Sequence, residues 1–366
     1  MMIKAALIGL GKMGISHQAI ITAHPDVKMV AVCDAANYVL TLMEKYTGVK
    51  TYSDYRKMID TEDLDCVFIA TPSRFHAEMV RYALDKNLHV FCEKPFCLDV
   101  EQGSALAQLA ERKRLVTQVG YHCRFVGAFR EARRLAAPNI LGNIHHVQVE
   151  AYGPVVVRTK GSTWRHSKIE GGGCLHDYAC HAIDLMNYVV GAPRSVGGTV
   201  VKSIFSQDVD DEVYSTLYFE NGATGYLAAN WSDDSYRKMF TRITLWGTKG
   251  RLSADRQEYQ IYLREPNEEL SLDAGWTIKN TVELTQPAWF YLRGEEYSAQ
   301  IDHFIQSVKA GNHQTESTFS SALATDRVVQ MLLADAEGRR TEVWKNSGAA
   351  TAKKRSVLQD LLVGGH

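Results

Sequence analysis

The sequence carries almost no net charge, no long apolar run and no closely paired cysteines, and each absence removes a class of function. Across 366 residues, 41 Lys and Arg balance 42 Asp and Glu, leaving −1 at pH 7. That argues against an electrostatic binder of nucleic acid or of a membrane surface. No apolar stretch approaches the length of a membrane span. The apolar N-terminal segment is broken by a glycine turn and lacks a cleavage-site pattern, so it reads as a strand and not as a signal peptide. The seven cysteines, 33, 66, 92, 97, 123, 174 and 180, are odd in number and contain no C-x-x-C. Cys33, Cys66 and Cys92 fall in strands expected to be buried, which suits free thiols in a reducing cytoplasm. What remains is the composition of a globular protein, 45% apolar and 23% charged, in a chain long enough for two domains.

The most informative stretch is at the start. Ile3–Ile8 is an apolar strand that runs into Gly9-Leu10-Gly11-Lys12-Met13-Gly14 and then into a helical pattern. This is G-x-G-x-x-G between a strand and a helix. The first glycine permits the tight turn, the second lets the backbone approach a pyrophosphate, and the third lets helix pack on strand. The free N–H groups and positive end of the helix then hold phosphate. A second strand, Met29–Cys33, ends in Asp34, twenty residues beyond Gly14. A carboxylate there accepts from both ribose hydroxyls and repels a 2′-phosphate. Ala35, Ala36 and Asn37 follow, with no cation to pair such a phosphate, so NAD is expected over NADP.

The strand–helix alternation continues. Asp65–Ala70 is a near-continuous apolar run, as a parallel strand covered on both faces requires, and it ends in Thr71-Pro72-Ser73-Arg74-Phe75-His76. Strand ends of this kind line the ligand crevice of a doubly wound sheet. His76 either faces the nicotinamide or makes a local bond. Leu88–Cys92 is the next strand and ends in Glu93-Lys94-Pro95. Lys94 is there either to hold a substrate hydroxyl or as part of a surface turn. A last strand, Leu115–Gly120, completes the sheet near residue 121.

Beyond Tyr121 the period changes. Val147–Tyr152, Val213–Phe219, Thr224–Trp231, Thr241–Trp246 and Gln260–Leu263 alternate apolar and polar residues. They read as consecutive antiparallel strands of an open sheet in an α+β domain. Gly247-Thr248-Lys249-Gly250 is a hairpin turn by context. Helices are expected near Glu295–Lys309 and Phe319–Ala336. Between the strands lies Gly171-Gly172-Gly173, followed by a helix carrying Asp177 and His181. Four residues apart, they share a helix face. They form either a carboxylate–imidazole proton-transfer pair or an ordinary surface pair. A zinc site from Cys174, His176, Cys180 and His181 is the sharper alternative, but its spacing fits no common pattern, and no metal is expected.

Taken together and in this order, Gly9-x-Gly11-x-x-Gly14, Thr71-Pro72 with His76, Glu93-Lys94-Pro95, and Gly171-Gly172-Gly173 followed by Asp177-x-x-x-His181 resemble the glucose–fructose oxidoreductase / inositol dehydrogenase / rhizopine-catabolism (Gfo/Idh/MocA) family. The resemblance covers most of the chain, to about residue 340. It implies an α/β fold: a Rossmann doubly wound parallel sheet (residues 1–121) and an α+β domain with an open, largely antiparallel sheet (122–345), followed by a tail (346–366). It implies NAD-dependent transfer of a hydride from or to a hydroxyl of a sugar, cyclitol or sugar derivative. Lys94, Asp177 and His181 become the catalytic set. Gly9, Leu10, Gly11, Lys12, Met13, Gly14, Asp34, Thr71, Pro72, His76, Glu93 and Lys94 become cofactor contacts. Arg124, Trp164 and Arg165, with the catalytic three, become substrate contacts. A homodimer or homotetramer through the C-terminal sheet is also implied. The rivals are a keto-sugar-nucleotide reductase, a hydrolase or lyase using NAD transiently, and a non-catalytic NAD-binding regulator.

Overall fold

The computed structural model describes residues 2–157 and 163–357, the side chains of 339–357 excepted. Six strands form a parallel sheet: β1 (Ile3–Ile8), β2 (Val27–Cys33), β3 (Lys50–Tyr52), β4 (Cys66–Ile69), β5 (His89–Cys92) and β6 (Thr117–Val119), in the order β3-β2-β1-β4-β5-β6. The helices between them are α1 (Lys12–Thr22), α2 (Asn37–Thr47), α3 (Tyr55–Thr61), α4 (His76–Asp85) and α5 (Val100–Lys113). Two of them, α3 and α5, start on side-chain caps: the Asp54 carboxylate accepts from Arg56 N–H and that of Asp99 from Glu101 and Gln102 N–H, bonds that satisfy otherwise orphaned donors. The sheet order reverses between β1 and β4, so the crevice at their carboxyl ends is where a dinucleotide is expected.

The second half starts with α6 (Gly127–Leu135) and continues through β7 (Ile144–Tyr152), α7 (Cys180–Val190) and seven further strands. These are β8 (Ser195–Lys202), β9 (Glu212–Tyr218), β10 (Thr224–Asn230), β11 (Phe240–Gly247), β12 (Gly250–Asp255), β13 (Glu258–Leu263) and β14 (Gly275–Asn280). The eight-stranded sheet has the order β14-β13-β12-β11-β7-β10-β9-β8. It is antiparallel except where β7 pairs in parallel with β10. The expectation of consecutive antiparallel strands is corrected at that point: β7 is inserted between β10 and β11, which a segment leaving through α7 and returning much later can do. Gly247 pairs with Gly250 across the expected hairpin.

One face of this sheet is buried under α6 and α7, with Val147, Val149, Leu227, Ile243, Leu245 and Ile261 in the core. Among the described residues, no helix covers the other face. The strand register puts Trp276, Tyr262, Arg251, Trp246, His146, Thr224 and Tyr218 in one row across it. Three helices follow among the described residues: α8 (Thr281–Leu284), α9 (Glu295–Ala310) and α10 (Phe319–Val357). α9 packs on the first sheet, although it follows the second in sequence. Its Ile301, Phe304 and Ile305 complete a core with Phe68 and Phe91, so the layers of the first half draw on the C-terminal segment. The helix expected to end near Ala336 runs on to Val357, and residues 358–366 of the expected tail lie outside the described residues. All seven cysteines are free and buried, and no described helix is long and apolar enough to cross a membrane.

Candidate active site

The glycine loop is built as its spacing requires. Gly9 has φ +96, and a Cβ there would stand 2.6 Å from the Ala70 carbonyl oxygen. A Cβ on Gly14 would stand 1.9 Å from the Gly9 carbonyl oxygen, whereas one on Gly11 would meet nothing within 4 Å. The loop is therefore closed on the protein side and open at Gly11, where α1 begins with no side-chain cap. That leaves first-turn N–H groups free for phosphate. Asp34 is fixed at the end of β2: Oδ2 accepts from Leu10 N–H at 2.6 Å and Oδ1 from Ala36 N–H at 2.8 Å. Each oxygen keeps a further lone pair for a ribose hydroxyl. These residues fit NAD.

A cavity of about 1190 Å³ opens between the two sheets, and its walls include Lys12 and Met13 from the glycine loop together with Lys94, Arg165, Asp177 and His181. Lys94 follows β5 and is joined to Pro95 by a cis peptide bond. Its Nζ donates to Asp177 Oδ1 at 2.7 Å and to the Asp177 carbonyl at 3.0 Å. The other carboxylate oxygen of Asp177 accepts from Arg165 Nε at 2.8 Å. One negative charge is thus shared by two cations. Burial opposes the charged form, but Lys94 and Arg165 outweigh it and hold the Asp177 carboxyl down at about 2. Lys94 is pushed up in turn, because Asp177 overcomes the effect of burial.

Beside Lys94, Glu93 is buried, and its Oε1 lies 2.6 Å from His17 Nε2 on α1. Burial raises its carboxyl, yet the contacts with His17 and Lys94 keep it below the usual range. The same carboxylate packs against Gly120: a Cβ there would lie 2.8 Å from it and push it from its place.

His181 is only 4% exposed. Burial, with the nearby charges of Lys94 and Arg256, holds it well below the ordinary imidazole range. Its Nδ1 has no hydrogen-bond partner among the described residues. The expected pairing of Asp177 with His181 is therefore corrected: the carboxylate turns to Lys94 and Arg165. The physical reason is local. Residues Leu175–Ala179 form a π-helical turn before α7, and that wider winding breaks the i,i+4 alignment of an ordinary helix.

Other expected site residues fall in different places. His76 is fully buried, with Nδ1 2.8 Å from the Pro95 carbonyl and Nε2 3.0 Å from the Thr71 carbonyl. It braces the two strand-end turns and does not line the cavity. Thr71 sits behind Gly9, where its nitrogen limits the space, and Pro72 leads into the short turn Ser73–Phe75. Arg124 is corrected from substrate contact to framework. It is 4% exposed and forks onto Asp184, Nε to Oδ2 at 2.9 Å and Nη2 to Oδ1 at 2.5 Å, while Nη1 donates to the Glu316 carbonyl. Trp164 carries the Arg165 guanidinium over its ring at 4.8 Å and is not among the cavity-lining residues. The Cys174, His176, Cys180 and His181 set does not gather.

Sequence reasoning missed His17, His122, Arg256, Glu296 and Tyr297. His122 stacks on Tyr297 at 4.8 Å and meets His181 edge-on at 4.9 Å, and Arg256 pairs with Glu296. His17 is one helical turn beyond Gly14 and faces the sheet, a signal open to a helix-periodicity argument. The others depend on contacts distant in sequence.

Comparison with known proteins gives a consistent picture. Residues 3–121 match the model of an oxidoreductase family with an NAD-binding Rossmann fold, and residues 129–253 match the GFO/IDH/MocA C-terminal domain. The chain is 25% identical to myo-inositol 2-dehydrogenase of Thermotoga maritima, over 84% of this chain and 89% of that one. It is 26% identical to D-glucoside 3-dehydrogenase of Escherichia coli, over 68% and 75%. Among solved structures, levoglucosan dehydrogenase in complex with NADH superimposes with a TM-score of 0.82 at 23% identity, covering 92% of this chain and 98% of that one. At that identity the likeness is one of fold.

Proposed function

Because the chain belongs to the GFO/IDH/MocA family of NAD-dependent oxidoreductases, we propose that it oxidises a secondary hydroxyl of a sugar or cyclitol, with Lys94, Asp177 and His181 as its catalytic set. The observation that carries this reading is the meeting of Lys94, from the end of β5, with Asp177 at 2.7 Å, in one cavity with His181 and the glycine loop. The named substrates of the relatives, an inositol and a glucoside, support the substrate class.

The glycine-loop amides and Asp34 would hold the dinucleotide. NAD, when bound, supplies the hydride acceptor at its nicotinamide ring. The protein supplies the rest. His181, neutral because it is buried, takes the hydroxyl proton as general base. The Lys94 ammonium donates to the same oxygen and stabilises the negative charge that develops as the proton leaves. Asp177 keeps that ammonium charged and aimed, while Arg165 shares its carboxylate. NADH formation measured across inositols, free aldoses, anhydro-sugars and sugar nucleotides tests the reading. Lys94→Ala should lower kcat by about 100-fold or more, with NAD affinity nearly unchanged. Wild-type turnover in that variant would refute the assignment.

The uncovered face of the second sheet supports self-association. Tyr218, Tyr226, Trp276 and Ile278 are exposed there, and aromatic side chains are enriched at interfaces. Tyr226→Glu should lower the mass measured by light scattering from oligomer to monomer; a monomeric wild type would refute it.

A further inference from the structure

His122 and Cys123 are consecutive on the turn His122–Phe125, and His181 is on the first turn of α7. One nitrogen from each ring and the Cys123 sulfur lie within 4.8 Å of one another, and all three residues are buried. Among the described residues, no other three His, Cys, Asp or Glu side chains come so close. Cys123 Sγ stands 3.9 Å from His122 Nε2. His181 Nδ1 is buried with no described hydrogen-bond partner.

Two imidazoles and a thiolate form a donor set suited to zinc and poorly suited to magnesium or calcium. Tetrahedral zinc, with bonds of about 2.0 Å to nitrogen and 2.3 Å to sulfur, sets its ligand atoms roughly 3.3–3.7 Å apart. Side-chain movements of about 1 Å would close the cluster to that geometry. His122 and His181 both line the cavity, so a fourth position would face solvent. Lys94, Arg256 and Arg293 are the nearby cations; the first two have carboxylate partners, Asp177 and Glu296, and Arg293 lies over the Tyr297 ring.

We propose that His122, Cys123 and His181 bind Zn²⁺ at the cavity wall and that the ion switches the enzyme off by occupying the imidazole that must accept the substrate proton. On binding, the thiol proton leaves to solvent, one S–Zn and two N–Zn bonds form, and nothing is oxidised. The inhibition rests on the reading of His181 as base; the binding does not.

Co²⁺ added to the full-length, metal-free protein is the direct probe, since a cysteine ligand gives a thiolate-to-cobalt charge-transfer band and tetrahedral geometry gives intense visible bands. Wild type should show both, and Cys123→Ser should lose the charge-transfer band. Zn²⁺ should abolish NADH formation reversibly, with recovery on adding EDTA. Cys123→Ser should keep basal activity and need at least about tenfold more Zn²⁺ for half-inhibition, since even outer-shell losses at metal sites cost that much. Absence of the charge-transfer band, its persistence in Cys123→Ser, or equal zinc sensitivity of the two proteins would each overturn the site. Cobalt binding without any loss of turnover would keep the site and refute His181 as the base.

Discussion

Asp177→Asn isolates the charge on which the candidate site depends. The substitution keeps the shape of the side chain and removes the negative charge shared by Lys94 and Arg165. A carboxyl held at about 2 against an ordinary 3.8 corresponds to roughly 2 kcal/mol of folded-state stabilisation. Leaving a largely buried ammonium without its partner costs about 3–5 kcal/mol where burial is complete. Lys94 is 14% exposed and Arg165 37%, and Lys94 retains its bond to the Asp177 carbonyl, so the expected loss at pH 7 is about 2–4 kcal/mol. The sign with pH follows from the direction of the shift. A depressed carboxyl contributes fully above 3.8 and loses its contribution as pH falls toward 2, when protonated Asp177 comes to resemble asparagine. Urea unfolding of both proteins at pH 7 and pH 3 measures this, and roughly half of the carboxylate's contribution should be gone at the lower pH. Equal stabilities at pH 7, or a gap that does not narrow on acidification, would refute the shared-charge account.

Three further outcomes are expected. Because burial and neighbouring cations hold His181 well below 6.5, the acid limb of kcat for oxidation should fall below pH 6.5; a limb centred at pH 7 or above would count against His181 as an unassisted base. Asp34→Asn should shift the NADP-to-NAD ratio of kcat/KM toward NADP by about tenfold or more, about 1.4 kcal/mol. An unchanged ratio would contradict the ribose contact. Gly14→Ala puts a methyl 1.9 Å from the Gly9 carbonyl oxygen, so it should cost about 1–3 kcal/mol and abolish the rise in Tm on adding NAD. A normal NAD-induced rise would show that α1 tolerates displacement.

The first sheet was readable because its signals are local: an apolar run, a glycine turn and a cap each lie within one short window. β8 and β14 were not. β8 carries Gly197 and Gly198 in its interior and its register slips between Gly197 and Val200, while β14 is an edge strand whose residues are mostly exposed. Neither offers clean alternation. The parallel pairing of β7 with β10 joins segments too far apart for any local pattern to specify. Lys94, Asp177 and His181, which share one cavity, were legible as candidates because each lies in a motif. Their wiring was not, because a π-helical turn changes which side chains share a face. Arg124 was misread for a related reason: its charge is explained only by Asp184, sixty positions later.

The fork from Arg124 to Asp184 has a consequence for how this catalyst can diversify. It ties the turn bearing His122 to the helix bearing His181, and through the Glu316 carbonyl to the segment before α10. The part of the cavity wall carrying His122 and His181 is thereby held in place. The stretch of wall formed by Tyr236, Arg237, Tyr291 and Arg293 on connecting segments carries no comparable arginine–carboxylate fork among the described residues. Changes of substrate are therefore expected along that stretch, while the side chains of Lys94, Asp177 and His181 keep their spacing.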